Sequence, residues 1–94
     1  KLNMIGRYPY DKYYKGQIWI LCTLAMVQFY IIYSNKFGDK KLMNTAKQIV
    51  DFIRSIDINF NLAEQYNPNT NEMLSAKKLT WNYSEFYFTQ KLLN

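Results

Sequence analysis

Apolar residues fall into three blocks separated by polar, turn-rich stretches. From Ile18 to Tyr33 (IWILCTLAMVQFYIIY) they are nearly continuous, with Thr23 and Gln28 the only breaks. A helix apolar on every face is enclosed by protein or by membrane. At 1.5 Å per residue it spans about 24 Å, short of the ~30 Å hydrocarbon core, and Gln28 would be costly there. The expectation is a buried helix, with a membrane span the lesser alternative. Ser34 to Asp39 is a loop containing Gly38, and Asp39 is placed to cap the next helix. From Lys40 to about Asp57, Leu42, Ala46, Ile49, Val50, Ile53 and Ile56 recur at helical spacing, with Lys41, Asn44, Lys47, Gln48, Asp51, Arg54 and Ser55 opposite. This is a one-sided amphipathic helix. A third helix is predicted from about Thr80 to Leu93, with Trp81 and Tyr83 expected mainly in its core.

The segments between the helices carry the chemistry. Residues 1–17 form a loop in which Gly6 and Gly16 permit unusual backbone angles and Pro9 keeps Tyr8 extended. Arg7, Tyr8, Tyr10, Asp11, Tyr13 and Tyr14 crowd into this short stretch. Arginine and aspartate give directional contacts to sugar hydroxyls, and tyrosines give flat apolar faces for pyranose rings; the same composition also suits a packed structural loop. Glu64 lies between an apolar run (Phe60, Leu62, Ala63) and Tyr66. A carboxylate so surrounded can serve as a general base, or be an ordinary solvated loop glutamate. Asn67 to Asn71 (NPNTN) is a turn, and Ser75 or Thr80 can cap the last helix.

Composition narrows the options. The 94 residues contain one cysteine, Cys22, and no histidine. Disulfides, Cys/His zinc sites and Ser-His or Cys-His nucleophiles are excluded within the chain, and Cys22 is expected to be a buried, inert thiol. No cofactor and no metal is implied, and carboxylate chemistry remains. The net charge of +5 raises nucleic acid or an anionic membrane as partners. The lysines are dispersed rather than clustered, so a solvated surface is expected instead, with no nucleic acid partner and a membrane only the lesser alternative. No signal peptide is visible, and cytoplasmic and secreted locations both stay open.

Two blocks carry a resemblance. IGRYPYDKYYKGQIWILCT (Ile5 to Thr23) is similar to the GRYPED-YY-GNPW-LCT segment of the glucoamylases, glycoside hydrolase family 15. EQY followed by a polar loop and LSAKKLTWNY resembles the general-base segment of the same family. The two occur in the family's order and together cover nearly the whole chain. The resemblance implies an all-α fold, the C-terminal portion of an (α/α)6 barrel of the six-hairpin glycosidase type, with about three helices and long functional loops. Ile18 to Tyr33 would then be an inner helix and Lys40 to Asp57 an outer one. Residues 1–94 would be a single partial domain whose N-terminal part lies outside this chain.

The same resemblance implies glucan 1,4-α-glucosidase chemistry: release of glucose from non-reducing ends of α-glucans or maltooligosaccharides, with inversion. Inversion uses a general acid and a general base about 6.5–9.5 Å apart. Glu64 takes the base position. Arg7, Asp11, Tyr13 and Trp19 take sugar-contact positions, and Tyr66, Ser75 and Trp81 support the base. The acid would come from outside the chain, and neither Glu72 nor Glu85 matches it, so the isolated 94 residues should be inactive. Tyr10 replaces a glutamate of the family pattern, Gln17-Ile18 replaces Asn-Pro, and Gln28 stands where glutamate is common. These departures suit the alternative of a non-catalytic or decayed relative that keeps the fold or glucan binding.

Overall fold

In the computed structural model, which describes residues 3–57 and 62–93, the chain is a mixed α+β domain. Three helices, α1 (Ile20–Phe37), α2 (Lys40–Ile56) and α3 (Thr80–Leu93), accompany a three-stranded antiparallel sheet of β1 (Ile18–Trp19), β2 (Gln65–Asn67) and β3 (Glu72–Leu74). The sheet overturns the purely helical, barrel-type expectation. Its cause is local: Ile18 and Trp19 pair with Tyr66 and Gln65 instead of opening the helix, and β2 folds back onto β3 around residues 68–71. β2 is the middle strand.

The hairpin turn is built by the side chains that punctuate it. Asn67 Oδ1 accepts from the Asn69 N–H at 2.9 Å, and the Asn67 carbonyl accepts from the Asn71 N–H at 2.8 Å. Asparagine tolerates the left-handed backbone that Asn71 adopts, φ 62°. Tyr66 closes the turn from the strand, its hydroxyl donating to Asn71 Oδ1.

α1 starts two residues later than its apolar run and reaches Phe37. There Gly38, at φ 69°, donates its N–H to the Ser34 carbonyl, a left-handed helix stop. Asp39 caps α2 as expected, its carboxylate accepting from the Leu42 N–H at 3.0 Å. The amphipathic pattern of α2 is realised: Ala46, Ile49, Val50 and Ile53 are fully buried, and the polar positions read from the sequence are exposed.

α1 packs against both other helices through Ile20, Leu24, Val27 and Ile31. The expectation that it is enclosed on all sides is corrected, since Phe29, Ile32, Tyr33 and Phe37 lie on an exposed face. Its 18 residues and mean hydropathy of 1.2 would suffice to cross a membrane by length and composition alone, a criterion that core helices of soluble domains also meet. Gln28 ties it to α3, donating to Glu85 Oε1 at 3.0 Å and Thr89 Oγ1 at 3.1 Å. α3 follows its predicted bounds and buries Phe86, Asn82 and Thr89. Removing a core side chain such as Leu24 would cost about 2–5 kcal/mol.

Candidate functional site

Glu64 directly precedes the middle strand, and its backbone is fastened from both directions. Its N–H donates to the Ala76 carbonyl at 2.7 Å, and its carbonyl accepts from the Ile20 N–H at 3.1 Å. The second bond satisfies one of the unpaired amides of the first turn of α1. Leu62 and Ala63, just before it, are fully buried. The Leu79 N–H holds the Leu62 carbonyl, and Asn82 Nδ2 donates to the Ala63 carbonyl at 2.6 Å. Both α1 and the start of α3 therefore grip the segment that carries this carboxylate. Phe60, expected beside it, lies outside the described residues.

The Glu64 side chain is half-buried. Ser75 Oγ donates to Oε1 at 2.6 Å, while among the described residues no hydrogen bond reaches Oε2. One oxygen is held and the other is free to accept a proton. Ser75 is turned toward the carboxylate by a left-handed backbone, φ 68°, a conformation that costs a non-glycine residue about 1–2 kcal/mol and concentrates at functional sites. Ser75 therefore serves Glu64 rather than α3, and Thr80 is the first residue of that helix instead of its cap.

The second centre is built on Arg7 and Asp11. The guanidinium engages both carboxylate oxygens, Nε to Oδ2 at 3.1 Å and Nη2 to Oδ1 at 3.0 Å. Planar bidentate pairing fixes orientation as well as charge. The Tyr13 N–H adds a third bond to Oδ1 at 3.1 Å. The bonds from Arg7, reinforced by that amide, hold the buried Asp11 carboxyl below its ordinary range, and the bond to Asp11 raises Arg7. The guanidinium carbon also lies over aromatic rings, 4.8 Å from the Tyr8 centroid, 5.4 Å from Tyr13 and 4.8 Å from Trp19. Such stacking orients an arginine as well as attracting it.

The two centres meet at Tyr13, whose hydroxyl is 3.2 Å from Ser75 Oγ. Arg7, Asp11, Tyr13, Trp19, Ser75 and Glu64 are thus parts of one connected arrangement. β1 contributes to it as well, because Trp19 pairs across the sheet with Gln65, the residue after Glu64. Beside Arg7 the loop opens a cleft of about 540 Å³ lined by Met4, Ile5, Gly6, Arg7, Tyr8, Pro9 and Gly16. Ile5 anchors that loop to α1 by exchanging hydrogen bonds with Thr23 Oγ1 at 3.2 Å.

Other expected residues go elsewhere. Tyr66 is buried in the core with its ring edge-on to Phe52, and burial pushes its phenol up. Trp81 is 61% exposed at the first turn of α3, so it is not core here. Tyr10 stands almost fully exposed at φ 63°. Cys22 is half-buried, and burial raises its thiol. Glu72 is exposed on β3, and Glu85 is occupied by Gln28. Among the described residues no group of three or more acidic or cysteine side chains could hold a metal ion.

Two supporting contacts had no signal in the sequence. Asn82 grips the strand before Glu64, and Tyr83 accepts from the Leu62 N–H while donating to Asp57 Oδ1, both at 2.8 Å. Trp19 Nε1 and both amide atoms of Gln65 are buried without a partner among the described residues. The Asn82 and Tyr83 contacts join positions 19 and 21 residues apart in the chain. No family model matches the chain.

Proposed function

We propose that this chain supplies the general-base half of a glucoamylase-like α-glucosidase that releases glucose from the non-reducing ends of α-glucans with inversion. The observation that carries this is the Glu64 carboxylate: Oε1 is fixed by Ser75 at 2.6 Å, and no hydrogen bond from the described residues reaches Oε2. A base needs one oxygen aimed at the reacting water and a fixed orientation. Oε2 takes the proton from that water as it attacks the anomeric carbon.

The Arg7–Asp11 pair beside it orients sugar hydroxyls. Asp11 neutralises and aims the guanidinium, and Trp19 offers an indole face already aligned with Arg7. The acid that protonates the departing oxygen comes from a segment of the same domain outside these 94 residues. Glu85 is tied to Gln28, and Glu72 faces solvent on the outer strand.

A second reading, a non-catalytic relative that binds glucan, draws on Tyr10. The family's glutamate is replaced there by an aromatic ring 96% exposed, which leaves a stacking surface and removes a charge.

The test is glucose release from maltooligosaccharides by the chain expressed with the coding sequence that precedes it, compared with Glu64→Gln. Loss of general-base help costs ~10²–10⁴-fold. A drop of that size supports the hydrolase. A folded protein that releases no glucose, yet binds maltooligosaccharide, supports the second reading.

A further inference from the structure

By resemblance the Tyr13 hydroxyl belongs to the sugar, but its hydrogen bonding assigns it to the protein. Ser75 Oγ carries a single proton, and an ionised carboxylate only accepts. At 2.6 Å from Glu64 Oε1 that proton is committed to Glu64. The remaining capacity of Ser75 is its lone pairs, so in the 3.2 Å contact with Tyr13 the phenol must be the donor. The donors run in one direction, from Tyr13 to Ser75 to Glu64. A hydroxyl that accepts one hydrogen bond donates a stronger one, because each bond polarises the next.

We propose that Tyr13 is a positioning residue for the Glu64 carboxylate, acting through Ser75 rather than through the substrate. Its catalytic meaning rests on Glu64 being the general base. The surrounding backbone is built to hold the phenol there. The Tyr13 N–H is bound to Asp11 Oδ1, and its ring meets Tyr14 edge-on with centroids 4.8 Å apart. Tyr14 and Lys15 adopt left-handed angles, φ 48° and 61°, to turn the chain immediately after it. Strain in non-glycine residues persists where surrounding contacts over-determine it, and here it occurs at both ends of the Tyr13–Ser75 contact, with Ser75 itself at φ 68°. Through Asp11 the bidentate grip of Arg7 is also transmitted to the base. Arg7 thereby steadies Glu64 in addition to any contact with sugar.

The consequence for catalysis is specific. A phenol whose proton is already donated to Ser75 cannot also donate it to a glucose hydroxyl. Removing it should loosen the base and leave substrate affinity nearly unchanged. Oε2 keeps its freedom in either case, so the reaction slows without stopping.

Two readouts test this. The first uses the chain itself, with carbon-13 in the glutamate side-chain carboxyls and the Glu64 signal assigned by its loss in Glu64→Gln. Tyr13→Phe is expected to shift that signal, Ser75→Ala to shift it further, and Tyr13→Phe added to Ser75→Ala to change nothing more. A Glu64 signal unmoved by Tyr13→Phe in a folded chain overturns the proposal. The second uses the longer polypeptide that releases glucose. Tyr13→Phe should lower kcat about fivefold, the equivalent of one ordinary hydrogen bond, with KM within about twofold, and the loss should vanish in the Ser75→Ala background. A raised KM that persists without Ser75 means a sugar contact and overturns the proposal. If no glucose is released while the carboxyl signal responds as expected, the positioning role stands and the hydrolase reading is what fails.

Discussion

Gly16 lies so close to Asp11 that a Cβ added to it would come within 2.5 Å of the Asp11 carbonyl oxygen. Its φ of 67° is also left-handed, so the chain has no room for a side chain where it turns back toward β1. Gly16→Ala must therefore displace Asp11, the residue that orders both Arg7 and Tyr13. The expected outcome is destabilisation of more than about 1 kcal/mol, read from urea unfolding, together with altered Trp19 fluorescence as Arg7 leaves the indole. Gly38→Ala is the control. Its φ is equally left-handed but its Cβ would meet open space, so it loses stability without disturbing Trp19.

Ser75 separates backbone strain from chemistry. Ser75→Ala and Ser75→Gly both remove the hydroxyl bound to Glu64, and in a glucose-releasing polypeptide each should lower kcat about ten- to a hundredfold, the worth of a hydrogen bond to a charged group. Only the glycine relieves the left-handed backbone. Ser75→Gly should be the more stable of the two by about 1 kcal/mol, measured by thermal unfolding. Equal activity with unequal stability identifies the hydroxyl, rather than the fold of the loop, as what the Glu64 carboxylate requires.

Acid should act through Asp11. Its bonds from Arg7 and the Tyr13 amide lower the folded carboxyl below the unfolded value, which is about 3.9. The unfolded chain therefore takes up this proton first, so the stabilisation is fully present above the unfolded value and is lost as pH falls through the lower folded one. Urea midpoints followed from pH 6 down to about pH 2 should fall more steeply for the wild type than for Asp11→Asn. Parallel curves would remove Asp11 from the acid response.

Base should act through Tyr83. Burial pushes its phenol up to about 12, against about 10 in the unfolded chain. The neutral form is favoured by folding, so this stabilisation holds below pH 10 and is lost as pH rises toward 12. Tyr83→Phe should cost about 1–3 kcal/mol at neutral pH, since the Leu62 amide and Asp57 lose a shared partner. It should also remove the latest tyrosine titration from the phenolate absorbance. An unchanged late titration would mean that another buried phenol, such as Tyr66, carries it.

The helices were legible because their signals are repetitive. Lys40–Ile56 declares its buried face four times over, and Asp39 and Gly38 mark its approach. The sheet was not legible, since its strands have two or three residues each, too few for alternation to register. The asparagine-rich turn was visible, and the strands flanking it were not. Glu64, Arg7 and Asp11 were picked out by their apolar and aromatic neighbours as well as by motif resemblance, Ser75 as a partner of Glu64 by resemblance alone, and neither route names contacts. The Tyr13–Ser75 contact joins positions 62 apart, and no local pattern encodes such a pairing. Trp81 misled in the opposite direction: an indole is counted as core on composition, and this one lies on the outer side of a first turn whose inner side is taken by the buried Asn82.

The pairing of Ile18 with Tyr66 also fixes when in folding the arrangement can form. The hydrogen bonds within each helix join neighbours in sequence, and such helices form in microseconds. The β1–β2 seam must wait for a long intervening loop to close, and non-local closures of this kind slow folding. After dilution from denaturant, far-ultraviolet circular dichroism should recover before the Glu64 carboxyl signal returns to its native position. The Glu64 carboxylate acquires its orientation last, so a chain interrupted during refolding already holds its helices but not yet the arrangement around Glu64.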